Sequence, residues 1–217
     1  MVHIEQFIFN PFQENCSLVW DDDGFCAVVD PGYTDAEKSR IVALTERKNL
    51  KPVCVLLTHA HFDHIYGAAD FARTYDIPVY MSAKEEYTLK HTNPYVCGLY
   101  GLDLPEPPET FTPVGDGDII EAGSLRFEVL DTPGHSVGGV CYLERDRRIL
   151  FSGDTIFAGA IGRTSAIYAD FCQLPLHKGA FGRCSASAYK QQFFFFPKTW
   201  FISRKTGNTD SRRCKTL

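Results

Sequence analysis

The sequence lacks the features of a membrane-spanning or secreted chain. No uninterrupted apolar run is long enough to cross a bilayer, and the N-terminal segment has no basic stretch followed by an apolar one. None of the eight cysteines forms a Cys-x-x-Cys pair, which favours reduced thiols in the cytoplasm over a disulfide framework or a cysteine metal site. The net charge of −5 argues mildly against nucleic acid as a partner. We expect a cytoplasmic protein with no membrane or nucleic-acid partner and leave its oligomeric state open.

The composition is that of a globular protein, but its charge is unevenly spread. Hydrophobic residues make up 44% and charged residues 23% of the 217 residues, a length that fits one domain. Residues 171–217 contain nine Lys and Arg and one acid, whereas residues 1–170 carry a net charge of −13. The basic part also contains four consecutive phenylalanines and no clear helical or strand period. We predict a single domain over 1–217 whose last part, 166–217, is aberrant, and a shifted reading frame would explain it.

Strands and helices interleave in the first 170 residues. β-forming segments and turn signals predict strands at 2–9, 15–20, 25–29, 52–57, 78–81, 125–130, 139–143 and 149–152. Apolar periodicity predicts helices at 35–48, 65–75 and 83–90, the first opened by the capping pair Thr34 and Glu37. The Pro- and Gly-rich segment 91–118 is expected to be mostly loop. This order predicts a mixed α/β sandwich.

The densest chemical signal is the heptapeptide THAHFDH at 58–64, directly after the fourth predicted strand. On a loop between a strand and a helix, His59 and His61 can point the same way, while Asp63 and His64 turn towards a second point. Imidazole and carboxylate are ligands that Zn²⁺ and Fe²⁺ accept. A solvated His-rich turn is the alternative, but such clustering is improbable in a chain with seven histidines. The segment therefore predicts a metal site.

Two further strand ends carry residues of the same types. His135 follows the predicted strand at 125–130, and Asp154 follows the strand at 149–152. An isolated His or Asp at a strand end is more often structural than a ligand, so the prediction depends on the repetition. Strand ends of this kind gather along one edge of an α/β layer, where binding sites form. We therefore expect His135 and Asp154 to join the cluster.

Asp30 and Asp35 also lie near the ends of predicted elements and resemble site carboxylates. Asp30 belongs to an Asp-Pro-Gly sequence, which is a turn signature. We predict that Asp30 supports the loop beside the metals and does not bind them.

The three motifs together resemble the metallo-β-lactamase fold superfamily, with H-x-H-x-D-H followed by Gly-His-Ser and then by Gly-Asp-Thr-Ile-Phe. The segment 151–164 looks like the glyoxalase II (hydroxyacylglutathione hydrolase) branch and its short bacterial relatives, and so do the segments 15–16 and 29–32. The resemblance covers about residues 1–165. It implies an αββα sandwich, in which two mixed β-sheets carry helices on their outer faces.

The resemblance also implies a role for each residue of the cluster. A first divalent ion would be bound by His59, His61 and His135, and a second by Asp63 and His64, with Asp154 bridging the two. The ions would be zinc, although the same ligands suit iron and manganese. A metal-bound hydroxide would attack a small-molecule thioester such as S-lactoylglutathione, with Asp63 as a catalytic residue that handles the proton. Arg163 matches a basic position that helps to hold glutathione.

The sequence departs from this pattern in its last part. The second metal of this fold normally takes another histidine from a Pro-Gly-His-Gly motif, yet no histidine follows His177. His177 itself is too close to Asp154 in the sequence to take that place. The nearest counterpart of the missing histidine is Thr206, and threonine is a poor zinc ligand. We therefore predict a weak second metal site and impaired hydrolysis.

Two other functions stay open. A mononuclear iron persulfide dioxygenase shares the H-x-H-x-D-H motif and a Gly-Arg-Thr loop, and it would suffer less from the missing histidine. An inactive relative that binds one metal or none is the other. Two zinc-like ions with thioesterase activity would indicate the hydrolase, whereas one iron with oxygen uptake would indicate the dioxygenase.

Overall fold

A computed structural model describes residues 1–92, 94–158, 160–164 and 193–195. Its strands are β1 (His3–Phe9), β2 (Glu14–Trp20), β3 (Phe25–Val29), β4 (Lys51–Leu56), β5 (Val79–Ser82), β6 (Thr112–Val114), β7 (Ile119–Ala122), β8 (Leu125–Asp131), β9 (Val140–Glu144), β10 (Ile149–Phe151), β11 (Ile156–Phe157), β12 (Ala160–Ile161) and β13 (Phe193–Phe195). Its helices are α1 (Lys38–Arg47), α2 (Phe62–Ile65), α3 (Ala68–Tyr75), α4 (Glu86–Lys90) and α5 (Pro94–Leu99).

Two sheets form the centre of the fold. The first has the order β1-β2-β3-β4-β5-β6, with antiparallel pairs up to β3 and parallel pairs from β3 onwards. The second has the order β13-β10-β9-β8-β7, and its described strands are all antiparallel. The first sheet is therefore mixed, because its parallel strands are joined by helical crossovers, whereas hairpins build most of the second.

Strand β4 shows why the two sheets stack. Cys54 and Leu56 belong to the apolar cluster between the sheets, which also contains Phe127 and Phe151 of the second sheet. Val55 of the same strand faces the opposite way and belongs to the cluster beneath the helices. Alternate side chains of a strand point to opposite faces, so an uninterrupted apolar run serves two cores at once. The strand predicted to be buried on both faces is confirmed.

Helices cover the outer face of the first sheet. Ile41 and Leu44 of α1 and Phe71 of α3 are buried in the cluster on that face. A smaller cluster on the other side of the second sheet contains Leu130, Cys141, Leu150 and Ile156, and no helical residue among those described. The predicted α/β class and the layered sandwich with two sheets are confirmed.

The helices differ in detail from the predicted ones. Helix α1 begins at Lys38, three residues later than expected. The predicted contact between Thr34 and Glu37 forms in the turn before it, where the Glu37 carboxylate accepts bonds from the Thr34 amide and hydroxyl and from the Asn10 amide. The single helix predicted over 65–75 is two helices that meet at Gly67. A Cβ at Gly67 would lie 2.5 Å from the Tyr33 ring, so only glycine permits this close approach.

The segment 91–118 contains more structure than predicted, since α5 and β6 both lie within it. Strand β7 was also absent from the prediction.

The described ranges contain no helix with the length and hydrophobicity that a membrane crossing needs. Of the basic last part, only β13 is described, and it pairs antiparallel with β10. His177 and Thr206 lie outside the described residues.

Candidate metal centre

Three strand ends meet at one edge of the sandwich. The loop after β4 carries His59 and His61, and the short helix α2 that follows it carries His64. The loop after β8 carries His135, and a 3-10 turn after β10 carries Asp154. These residues come from both sheets, yet their side chains lie within a few ångströms of one another. The structure therefore brings together the residues that the sequence predicted as metal ligands.

The first group comprises His59, His61 and His135, each of which offers a ring nitrogen within 4.8 Å of the other two. Nε2 of His135 lies 2.9 Å from Nδ1 of His61. The ring planes of His61 and His135 stand at 87°, and those of His59 and His61 at 84°. Steeply inclined rings direct their lone pairs to a common point without stacking, as a metal ion with three imidazole ligands requires.

The second group predicted from the sequence comprises His64, Asp63 and Asp154. The structure places ligand atoms of His64 and Asp154 within 4.8 Å of one another and of His59, a set that does not contain Asp63. Nε2 of His64 lies 3.4 Å from Oδ1 of Asp154 and 3.8 Å from Oδ2 of Asp63. The other oxygen of Asp154, Oδ2, lies 3.5 Å from Nε2 of His135 in the first group. One carboxylate thus faces both groups, one oxygen to each, which is the arrangement expected of a bridging ligand.

Asp30 orients the rings of His59 and His64 through hydrogen bonds. Its carboxylate accepts bonds from the Thr58 amide and hydroxyl, both at 2.7 Å, and from Nδ1 of His64 at 3.0 Å. The Thr58 hydroxyl donates its hydrogen to Asp30, so it accepts from Nδ1 of His59, 3.0 Å away. Nδ1 of both rings is then a protonated donor, and Nε2 is the nitrogen that faces the cluster. Asp30 occupies the supporting position predicted for it.

His135 is oriented in the same way by a different group. Its Nδ1 donates to the backbone carbonyl of Arg163 at 2.8 Å, which leaves the lone pair on Nε2. The exposed Arg163 is therefore attached to the edge of the cluster through its main chain. The predicted role of the Arg163 side chain in holding glutathione stays a prediction.

The ionisation of the histidines differs between the groups. Burial, together with the neighbouring His135 and His64, lowers the pKa of His61 to about 4. Burial also opposes a charge on His64, but the carboxylates of Asp63 and Asp30 outweigh it and raise its pKa well above the usual value. His61 is thus favoured in its neutral form, whereas the carboxylates around His64 favour its charged form.

Sequence reasoning missed Glu14, which is 1% exposed beside His64. Its Oε1 lies 4.0 Å from Nδ1 of His64, and neither carboxyl oxygen makes a hydrogen bond to the described part of the chain. Burial is the main reason that the pKa of Glu14 is raised well above its usual value. The available signal was a single acid at the start of β2, a strand with no other charged residue.

The donor set fits divalent metal ions. Nδ1 of each of His59, His64 and His135 is held by an oxygen atom, so their three Nε2 atoms are directed towards the cluster that also contains the Asp154 carboxylate. Imidazole nitrogens and a carboxylate gathered in this way provide the ligands of a cation. Imidazole and carboxylate ligands suit zinc, iron and manganese.

Comparison with known proteins agrees with this geometry. The family described as the metallo-beta-lactamase superfamily matches residues 9–190. The chain belongs to this superfamily. It is therefore a metallo-β-lactamase-fold protein of a superfamily of metal-dependent hydrolases.

Relatives and solved structures place the chain within the superfamily. It is 32% identical to hydroxyacylglutathione hydrolase GloC of Haemophilus influenzae over 173 residues, which cover 78% of this chain and 79% of that one. It is 38% identical to the probable metallo-hydrolase YqgX of Bacillus subtilis over 158 residues, covering 72% of each. It resembles the di-iron-bound structure of TTHA1623 with 33% identity and a TM-score of 0.65, over 75% of this chain and 77% of that one.

Proposed function

We propose that this protein is a hydrolase of the glyoxalase II type, which cleaves a thioester such as S-lactoylglutathione with the help of two divalent ions. The observation that carries the proposal is the position of Asp154, whose two carboxylate oxygens face His64 and His135 of the two ligand groups. A site built around one metal has no need of a carboxylate that faces two sets of ligands. The similarity to GloC favours a hydroxyacyl thioester as the substrate class.

Hydrogen bonds within the protein orient residues that would bind the ions. His59, His61 and His135 would hold the first ion, and His64, Asp63 and Asp154 the second. When bound, the ions would supply Lewis-acid polarisation of the carbonyl and lower the pKa of a coordinated water. Asp30 keeps His59 and His64 in the tautomer that presents Nε2, so their proton positions are fixed in advance.

Asp63 is the residue we assign to proton transfer. Its side chain is 14% exposed, so a carboxylate oxygen can face both the ligand cluster and the substrate. We infer that Asp63 accepts the proton of the attacking water and passes it to the departing thiolate. Arg163 lies next to His135 through its main chain and has an exposed side chain, which we assign to a carboxylate of the glutathione portion.

The metals are most simply zinc, and the di-iron form of TTHA1623 makes iron the other candidate.

We also place the protein in the cytoplasm. The described cysteines are all buried free thiols, which accords with a reducing compartment: Cys16, Cys26, Cys54, Cys97 and Cys141.

The test combines metal analysis with two assays on the same purified protein. The metal content is measured by plasma spectrometry after loading with zinc or with iron. Hydrolysis of S-lactoylglutathione is followed by the release of glutathione thiol, and oxygen uptake is followed with glutathione persulfide. We expect thioester hydrolysis that depends on added metal. One iron per chain with oxygen uptake and no thioesterase activity would assign the site to the dioxygenase, and no activity in either assay would leave only the inactive relative.

A further inference from the structure

A buried glutamate outside the ligand cluster joins the two loops that carry the first group. Glu85 is 0% exposed and lies in the 3-10 turn after β5. Its Oε2 accepts a bond from the backbone amide of Ala60 at 3.1 Å, and its Oε1 accepts from the amide of Gly138 at 2.5 Å. Each carboxylate oxygen therefore belongs to a different loop.

Both amides lie close to metal ligands along the chain. Ala60 is the residue between His59 and His61, so its peptide sets the relative direction of those two rings. Gly138 is three residues after His135 and closes the loop that presents it. Because the same rigid carboxylate accepts from both amides, a change at Glu85 alters the distance between the two halves of the first group.

The loop that carries His135 is packed against the turn of Glu85. A Cβ at Gly138 would lie 2.7 Å from Cβ of Lys84 and 3.0 Å from the amide nitrogen of Glu85, so only glycine allows this approach. At the other end of the loop, Nζ of Lys84 lies 2.8 Å from Oδ2 of Asp131. Two consecutive residues thus hold both ends of the loop.

A charged acceptor suits this position. A buried carboxylate is costly unless donors surround it, and hydrogen bonds to an ionised acceptor are stronger than those between neutral groups. Glu85 receives its two donors from the main chain, whose positions do not depend on side-chain rotamers. A backbone bond from the Val140 amide to the Thr58 carbonyl, at 2.9 Å, joins the same region independently of Glu85. The fold therefore keeps one link when Glu85 is changed.

We propose that Glu85 is a positioning residue for the first metal, because it fixes the distance between the loop of His59 and His61 and the loop of His135. It touches neither metal nor substrate and acts only through the ligands. The inference rests on the proposed metal site but not on the choice of substrate.

The experiment compares Glu85→Gln with Glu86→Gln. Glutamine keeps the size of Glu85 but turns one acceptor oxygen into an NH₂ group that faces a backbone N–H. Glu86 is the adjacent residue and pairs with Lys90 on the exposed surface, which makes it a matched control. Zinc affinity is measured by competition with a chromogenic chelator, and the geometry of the site by the absorption spectrum of the Co²⁺ form. The melting temperature of the metal-free protein reports on folding.

We expect E85Q to lose about 10- to 100-fold in affinity for the tightly bound ion and to change the Co²⁺ spectrum, because supporting residues of metal sites have effects of this size. Its metal-free melting temperature should stay close to that of the wild type, and E86Q should match the wild type throughout. Wild-type affinity and spectrum in E85Q would overturn the inference, and so would an equal loss in E86Q.

A second variant covers the case in which metal-free E85Q does not fold. Gly138→Ala separates the same loop from the turn by adding one methyl group and leaves the Glu85 carboxylate in place. A folded G138A protein with lowered zinc affinity would support the inference, and one with wild-type affinity would refute it. If the wild-type protein itself binds no metal, the proposed function fails first, and Glu85 has no ligands to position.

Discussion

The two ligand groups differ in charge, because only the second contains carboxylates. The first group is made of imidazoles alone, and burial with its neighbouring histidines lowers the pKa of His61 to about 4. The second group contains acids, and the carboxylates around His64 raise its pKa despite its burial. A histidine favoured in its neutral form keeps a lone pair available, whereas a site rich in carboxylates favours a positive charge, which a proton or a metal ion can supply.

The largest expected effect comes from the first group. His59→Ala and His61→Ala should each abolish tight metal binding and thioester hydrolysis, and the double variant should lose little more, because a ligand set acts as a unit. Plasma spectrometry and S-lactoylglutathione turnover measure both. His91→Ala, at an exposed histidine after α4, is the control and should behave as the wild type. Full metal content and turnover in either single variant would refute the ligand assignment.

The second largest effect is expected from removal of the metals, which should distinguish the two ligand groups. As a chelator is titrated in, the second ion should leave before the first, because the sequence offers only Thr206 near the place of the missing histidine. Complete removal should lower stability by about 4 kcal/mol if free metal had been at a thousand times its dissociation constant. Restoring a Pro-Gly-His-Gly tail should raise the affinity of the second ion only. Two equally tight ions in the chain as written would show that another ligand completes the second group.

Asp30→Asn should affect both groups, but less than loss of a ligand. The amide cannot accept bonds from Thr58 and His64 in the same way, so the tautomers of His59 and His64 are no longer fixed. We expect metal affinity to fall about 10- to 100-fold. Asp35→Asn changes an exposed acid nearby and is the control. A D30N protein with unchanged affinity, measured by chelator competition, would show that backbone packing alone orients the two rings.

The smallest expected effect lies at the rim of the cluster. Arg163→Met should raise KM about three- to fivefold and leave kcat unchanged, since an exposed ion pair contributes up to about 1 kcal/mol. Metal content should also stay unchanged, because only the main-chain carbonyl of Arg163 contacts His135. Arg126→Met, at an exposed arginine on β8, serves as the control. An unchanged KM in R163M would remove the side chain from substrate binding.

Residues 166–217 are a separate region of the chain. That this region is aberrant because of a shifted reading frame stays a prediction. The family match extends to residue 190, beyond the 1–165 that the motifs cover. Residues 165–192 and 196–217 lie outside the described part of the chain.

Local patterns were enough to predict most of the elements. The apolar run 52–57 predicted a strand buried on both faces, because its side chains have no polar alternation. The helix predicted over 65–75 was placed correctly but not its break, since the Tyr33 ring that approaches Gly67 comes from a distant part of the chain. Strand β7 and helix α5 are short, and their patterns are too weak to predict without their neighbours.

The sequence alone determined which residues could bind metal, because imidazole and carboxylate chemistry belongs to the residue type and the H-x-H-x-D-H spacing is local. Only the tertiary structure decided that Asp154 faces both groups, that Asp30 and the Arg163 carbonyl fix the tautomers, and that Glu14 and Glu85 lie buried beside the cluster. These relations join segments that are tens of residues apart. They depend on how the two sheets stack, and stacking is a property of the whole core that no local pattern contains.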